Sequence, residues 1–355
     1  AACASDSVRE NIAEDQVEIG FSTYIQKPVA SKADNSNAET LKDLEAYHQN
    51  FVVNGFKTVA TTETQVFANQ LVTYADSKWG YSPVSYWDKS ASKYSFYAAA
   101  PQTANWEFDK EGKYYTISGF VASGKSLDLA TLDAPNAAAV FGAEDLMIAT
   151  DIDEHTTFTT EAVNFTFNHI LSRFNIAIST SITDGTVTLT SLTVNGMKNK
   201  GSFDENLDAA STAGSTARWN NLAVDGTYAI TAVKDASNNN VVVNAKKQFV
   251  YQGLVIPQTA AYESINLDGT SEEAAPYLNI QYSITTGEGA TAKSQDYSYF
   301  YNLADLFNGE GSSNLAFNEG WQNNLYITIG AAAINFDAQV YEWATQEPEG
   351  NLAVQ

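Results

Sequence analysis

Along most of the chain, apolar and polar residues alternate one for one. The beat is clear in VEIGFSTY, where Val17, Ile19 and Phe21 fall on one side. It returns in GTVTLTSLTV with Val187 and Leu189 and continues through Leu192 and Val194. Leu325, Ile327 and Ile329 carry it in NLYITIG, then Ile334, Phe336, Ala338 and Val340 in INFDAQVYEW. Successive side chains of a strand point to opposite faces, so each run predicts a strand with one face buried. Val, Thr, Tyr and Phe fill the runs, while Gly, Asn, Asp and Ser fill the gaps between them. A helical period is rare. NAETLKDLEAYHQNF (37–51) predicts one helix with Leu41, Leu44 and His48 on a face, and NLADLFNG (302–309) predicts a turn or two of another. Strands with almost no crossover helices imply antiparallel sheets, so the fold class is all-β.

The chain is 355 residues long, which is comfortable for two domains. The beat is lost in GAEDLMIATDIDEHTTFTTEA and resumes strongly in VNFTFNHILSRFNIAIS. That break predicts a boundary near residue 160, with an N-terminal domain over 1–160 and a C-terminal domain over 161–355. Charge narrows the choice of partners. Acidic residues number 42 against 19 basic ones, a formal net charge of −23. Such a surface repels nucleic acid and anionic lipid headgroups. No apolar run approaches the ~18 residues of a membrane span. The single cysteine, Cys3, follows two small residues in AACASDS and has no partner for a disulfide. A small-residue run ahead of a lone thiol suits lipid attachment; an incidental cysteine near an N-terminus is the alternative.

One stretch argues for quite different chemistry. GFVASGKS (119–126) fits the phosphate-cradling pattern G-x-x-x-x-G-K-[ST] letter for letter. Such a loop needs a helix whose N-terminus faces the phosphates. Here Lys125 and Ser126 lead into LDLATLDAPNA, where Leu127 and Leu129 alternate and Pro135 stops any helix. The match therefore reads as a hairpin in which Gly119 and Gly124 supply turn geometry. The three histidines, His48, His155 and His169, stand in no metalloprotease, calcium or paired-cysteine pattern. His169 reads as a packed or hydrogen-bonded side chain. Asp151, Asp153 and Glu154 read as a solvated acidic loop rather than a metal site. Trp79, Tyr81, Tyr86, Trp87, Tyr94, Phe96 and Tyr97 could line a sugar platform, but the core of a sandwich explains them more simply. No cofactor or metal is implied, and no enzyme reading gains support.

SYWDKSASKYSFYAAAP (85–101), FTFNHILSRFNIAIS (165–179) and WQNNLYITIGAAAINFDAQVYEW (321–343) resemble, in that order, runs of the fimbrillin family of Bacteroidales-type bacteria. IGFSTYIQKPVASKADN, near the start, extends the resemblance over nearly the whole chain. It implies two antiparallel β-sandwich domains of transthyretin-like topology in tandem. It further implies a pilus subunit exported as a lipoprotein through Cys3, membrane-bound only by that anchor and only before assembly. Such subunits are trimmed by a trypsin-like protease that frees the first strand, and a neighbour's C-terminal strand fills the vacated groove.

On that scheme the displaced strand is about 16–24, with Val17, Ile19 and Phe21 inward. Lys32 in SKADN stands at the cut, where the family carries Arg, and Arg9 is the second choice. The donor tail is about 334–355, with Ile334, Phe336, Ala338 and Val340, then Leu352 and Val354. The same run could equally be an ordinary strand of its own domain. The partners expected are other pilus subunits, the maturation protease and a host or glycan ligand, with the protein at the cell surface and outer membrane in fimbriae. The alternative is a surface lipoprotein that binds a glycan or protein without polymerising.

Overall fold

The computed structural model describes residues 17–25, 48–102, 104–122, 124–126, 145–153, 162–208, 218–224, 239–261, 276–308 and 314–342. Strands dominate these residues, with one short α-helix among them, α1 (Leu303–Asn308). The all-β expectation holds, and α1 lies where NLADLFNG predicted a turn or two. The other predicted helix does not hold at its C-terminal end. Asn50 and Phe51 begin a ten-residue strand, and residues 37–47 lie outside the described residues. The strand wins there because Phe51, Val52 and Val53 are all buried, between cores on both faces of a sheet.

The first sheet has seven strands: β1 (Phe21–Ile25), β2 (Asn50–Val59), β3 (Thr62–Ala75), β4 (Lys78–Gly80), β5 (Ala91–Ala100), β9 (Met147–Asp153) and β10 (Val163–His169). Their spatial order is β1-β10-β9-β5-β2-β3-β4. Every pairing is antiparallel except that of β1 with β10. The sheet curls around its own core, which holds Ile19, Phe21, Phe51, Phe67, Phe96, Phe165 and Phe167. Curling is eased at Gly55, where the pairing with β3 slips on both sides. A Cβ there would come within 2.7 Å of the Phe67 ring and 2.9 Å of Phe96, so no side chain fits.

The outer face of this sheet is covered too. Val52, Phe56, Tyr97, Ala99 and Ile148 pack with Tyr115, Ile117, Phe203 and Trp219 in a second apolar cluster. Those partners come from a four-stranded sheet made of β6 (Trp106–Asp109), β7 (Tyr114–Val121), β13 (Lys200–Asp204) and β14 (Trp219–Ala223), in the order β14-β13-β7-β6.

A third core lies between two further sheets. One is five-stranded, of order β22-β21-β11-β16-β8, from β8 (Gly124–Ser126), β11 (Ser172–Thr180), β16 (Gln248–Val255), β21 (Trp321–Ile329) and β22 (Ile334–Glu342). The other has order β15-β12-β18-β19, from β12 (Thr186–Asn195), β15 (Val241–Val243), β18 (Tyr277–Thr286) and β19 (Lys293–Asn302). β17 (Gln258–Ala261) and β20 (Asn314–Phe317) form a small separate pair. This core is mainly aliphatic, with Ile176, Ile178, Val187, Leu189, Ile280, Leu325 and Ile327 buried in it. The apolar series 187, 189, 192, 194 skips one step in sequence. A bulge between Leu189 and Ser191 absorbs the extra residue, so all four side chains stay inside.

Sheet membership does not change at residue 160. β10, which follows that point, completes the first sheet, while β8, which precedes it, pairs with β16. β6 and β7 share a sheet with β13 and β14.

Candidate functional site

β1 is short, and it enters the first sheet in an unusual way. Phe21 to Ile25 pair in parallel with Val163 to Phe167 of β10. The segment before it is held from the other side by the chain following β4. Ile19 N–H donates to the Ser85 carbonyl at 3.0 Å, and Trp87 N–H donates to the Val17 carbonyl at 2.9 Å. The Tyr81 hydroxyl donates to the Ile19 carbonyl at 2.7 Å. Burial pushes the Tyr81 phenol up to about 12, so it stays a donor throughout the physiological range. This clasp is anchored in turn. Lys57 Nζ lies 2.6 Å from Asp88 Oδ2, and the Asp88 N–H donates to the Tyr94 hydroxyl at 2.6 Å. The hydrogen bond from Lys57 holds the Asp88 carboxyl well below the usual carboxylate range, helped by Ser90.

What β1 and the segment before it put into the core is large. Ile19 is fully buried and Phe21 is 8 % exposed. The Phe21 ring meets those of Phe51, Phe67, Tyr81, Phe96 and Phe165 at centroid distances of 5.4–6.3 Å. Stacked and edge-on contacts of this kind add to plain burial. Thr23 is buried as well, and its hydroxyl finds no hydrogen-bond partner among the described residues. Val17 is half-buried against the same core. A slot of this shape can accept an extended segment through backbone bonds and a short series of apolar pockets.

β22 lies at the edge of the five-stranded sheet, paired antiparallel with β21 from Ile329↔Ile334 to Trp321↔Glu342. Ile334, Phe336 and Ala338 pack against the third core without being fully buried, and Phe336 meets the Tyr301 ring at 4.5 Å. Val340 is 42 % exposed. In this structure the segment is therefore a strand of its own sheet. Cys3, Arg9, Lys32, Leu352 and Val354 lie outside the described residues.

The remaining candidates resolve into structure. Gly119 takes φ +63°, and Gly124–Ser126 form β8, with Lys125 opposite Gln252 on β16. A strand thus stands where a phosphate loop needs a helix, and the expected hairpin does not form either, because β7 and β8 pair into different sheets. Trp79, Tyr81, Trp87, Tyr94 and Phe96 belong to the first core and Tyr97 to the second cluster, leaving Tyr86 as the exposed member of that aromatic run. His169 is buried with its Nδ1 2.8 Å from Asp145 Oδ2, and His48 Nε2 donates to the Asp145 carbonyl at 2.6 Å. Burial lowers the His48 imidazole below its ordinary range, with the Asp145 charge opposing. Asp151 and Asp153 lie in β9, whereas Glu154 and His155 lie outside the described residues. No group of three metal-ligating side chains occurs among the described residues, and no described helix is long and apolar enough to cross a membrane.

Sequence reasoning named Val17, Ile19 and Phe21 but missed Thr23 and the clasp at Tyr81, Ser85 and Trp87. The density of aromatics in 79–97 was the available signal, and it was set against a sugar platform rather than a strand-holding role.

A fimbrial protein from Bacteroides vulgatus superposes with a TM-score of 0.49 at 16% identity, covering 92% of this chain and 99% of that one. A protein assigned to cell adhesion from Bacteroides uniformis gives 0.44 at 16% identity, covering 93% and 99%. The C-terminally truncated tip fimbrial protein Mfa3 from Porphyromonas gingivalis gives 0.36 at 8% identity, covering 92% and 100%. No curated protein matches the chain. The model of the fimbrillin-like family matches residues 38–343, a span that takes in the clasp, the walls of the β1 slot and β22. The chain belongs to the fimbrillin-like family.

Proposed function

We propose that the protein is a structural pilus subunit of the cell surface, not an enzyme, and that it polymerises by strand exchange. It is exported as a lipoprotein through Cys3 and trimmed by a trypsin-like protease after Lys32, with Arg9 as the second choice. Trimming after Lys32 cuts β1 from the rest of the chain, so its departure opens the slot, whereas a cut after Arg9 would spare the strand. The C-terminal segment of a neighbouring subunit, 334–355, then fills it, and the assembled fimbria supports adhesion. Two antiparallel β-sandwich domains in tandem, 1–160 and 161–355, are the fold this reading expects, with β8 and β10 reaching across that division.

One observation carries the proposal: Phe21 on a short strand at the edge of the first sheet, and Ile19 on the segment that leads into it, are core side chains of that sheet. Without that strand, the slot shows apolar pockets and the unpaired edge of β10, a surface that recruits another strand. Burying a Leu- or Phe-sized side chain is worth roughly 1.5–3 kcal/mol, so a few such anchors hold subunits together without covalent bonds.

Electron microscopy of protease-treated protein tests the reading. Filaments are expected, stable in mild denaturant, and lost on deletion of 334–355 or on Lys32→Gln. Treated protein that has lost its N-terminal segment yet stays monomeric overturns it.

A further inference from the structure

The strands at the two ends of the described chain carry the same alternating series. From Ile19, β1 and its lead-in read Ile-Gly-Phe-Ser-Thr-Tyr-Ile (19–25). From Ile334, β22 reads Ile-Asn-Phe-Asp-Ala-Gln-Val (334–340). One alignment sets Ile334 on Ile19, Phe336 on Phe21, Ala338 on Thr23, and Val340 on position 25, itself a β-branched residue. We infer that β22 of a second copy occupies the β1 slot in this single register, parallel to β10, with Phe336 replacing Phe21. The inference rests on the strand-exchange reading above and adds to it the register and direction of the donor.

Each position of the slot has a demand that this register meets. The site of Phe21 is walled by aromatic rings on several sides. A slip of two residues one way puts Ala338 among those rings and leaves a void. A slip the other way puts Ile334 there and forces Phe336 into the space of Thr23. Close-packed interiors resist both voids and overfilling. Position 23 suits Ala338, because alanine removes a buried hydroxyl that has no partner among the described residues. Position 20 must accept Asn335 in place of glycine. A Cβ on Gly20 would meet nothing nearer than Ala162 at 3.7 Å, an ordinary contact, and its φ is not in the left-handed region.

The outward positions agree as well. Ser22 hydrogen-bonds Asn164 across the parallel pair. Asp337 takes the place of Ser22 in this register, where its carboxylate can accept from the Asn164 amide. The clasp is indifferent to sequence: Tyr81 and Ser85 bond the backbone of residue 19, so they serve Ile334 equally. Burial also favours the transfer. Ile334 and Phe336 are only partly buried at the edge of their own sheet, whereas the slot buries its isoleucine fully and leaves its phenylalanine 8 % exposed.

Cysteine pairs in a Cys3→Ser background read the register directly. Asn164→Cys combined with Asp337→Cys should give disulfide-linked ladders when trimmed subunits assemble under mild oxidation. Asn164→Cys with Asn335→Cys or with Gln339→Cys should give at least tenfold less. Filaments whose cross-links form at 335 or 339 instead of 337 overturn the register and leave strand exchange standing. If no filaments form, the strand-exchange reading fails, and a synthetic peptide of residues 332–342 with cysteine at 337 tests the slot alone. That peptide should form a mixed disulfide with trimmed Asn164→Cys protein, at least tenfold faster than a peptide that also carries Phe336→Ala. Equal rates for the two peptides, or no mixed disulfide, overturn the inference.

Discussion

The first core and the third are built from different materials and held at their edges in different ways. The first is a cluster of aromatic rings enclosed by one curled sheet, and its edge strand β1 is joined to it in parallel. The third is an aliphatic layer between two sheets, and its edge strand β22 is the second arm of a hairpin with β21. A hairpin strand is tethered to its partner by a short turn and returns quickly if it lifts. A parallel strand has no such local tether and depends on its side chains and on the clasp. The contrast teaches that the value of an edge strand lies in what it fills, while its ease of removal lies in how it is attached.

Paired truncations should separate the two most strongly. Phe21→Ala leaves a cavity among rings and should cost about 3–5 kcal/mol in denaturant unfolding. Phe336→Ala, at a half-buried edge, should cost about 1–2 kcal/mol. Equal costs would erase the distinction between the two edges.

Acid should then single out the first sheet. Burial lowers the folded His48 imidazole below its ordinary value of 6.5, with the Asp145 charge opposing. Below 6.5 the unfolded chain binds a proton that the folded chain refuses, so stability is full above that value and is lost as pH falls toward the folded value. The limiting slope is about 1.4 kcal/mol per pH unit for one proton. Melting curves from pH 7 to pH 5 should show this loss, and His48→Gln should flatten it. Among the described residues Asp145 and His169 are the ionisable groups beside His48, and Asp145→Asn removes the charge that opposes the lowering.

Smaller effects sharpen the picture of the clasp. Tyr81→Phe removes the donor to the Ile19 carbonyl and should cost about 1 kcal/mol, read as faster hydrogen exchange at the Ile19 amide. Thr23→Val keeps the shape and removes a buried hydroxyl, so it should stabilise by about 0.5–1 kcal/mol, opposite in sign to the other changes. A loss at that position would mean that the hydroxyl has a partner the geometry does not reveal.

The alternation of apolar residues made much of this legible. It marked β12, β21 and β22 as strands with one buried side, and it marked Ile19 and Phe21 as inward-facing. A two-residue period reports which face a side chain takes, and says nothing of which strand lies next door. The parallel neighbour of β1, 142 residues away, was therefore invisible. So was the passage of β8 into the five-stranded sheet and of β6 and β7 into a sheet with β13 and β14. At Asn50 and Phe51 a helical reading failed because β2 is buried on both faces, so Phe51, Val52 and Val53 run without alternation. The aromatic run 79–97 was legible as core, and it is core apart from Tyr86, but its packing around Ile19 and Phe21 was not.

The 142-residue separation between β1 and its partner also bears on how the chain reaches this state. Ordering a segment against so distant a site exacts a loop-closure entropy that local hairpins avoid, and contacts of long sequence separation form slowly. Residues 21–25 leave the ribosome well before Val163–His169 exist, and for that interval they have no lattice of hydrogen bonds to join. Among the described strands of the first sheet, β1 is made first, yet it must wait 142 residues for its partner, a longer wait than any other pairing of that sheet imposes.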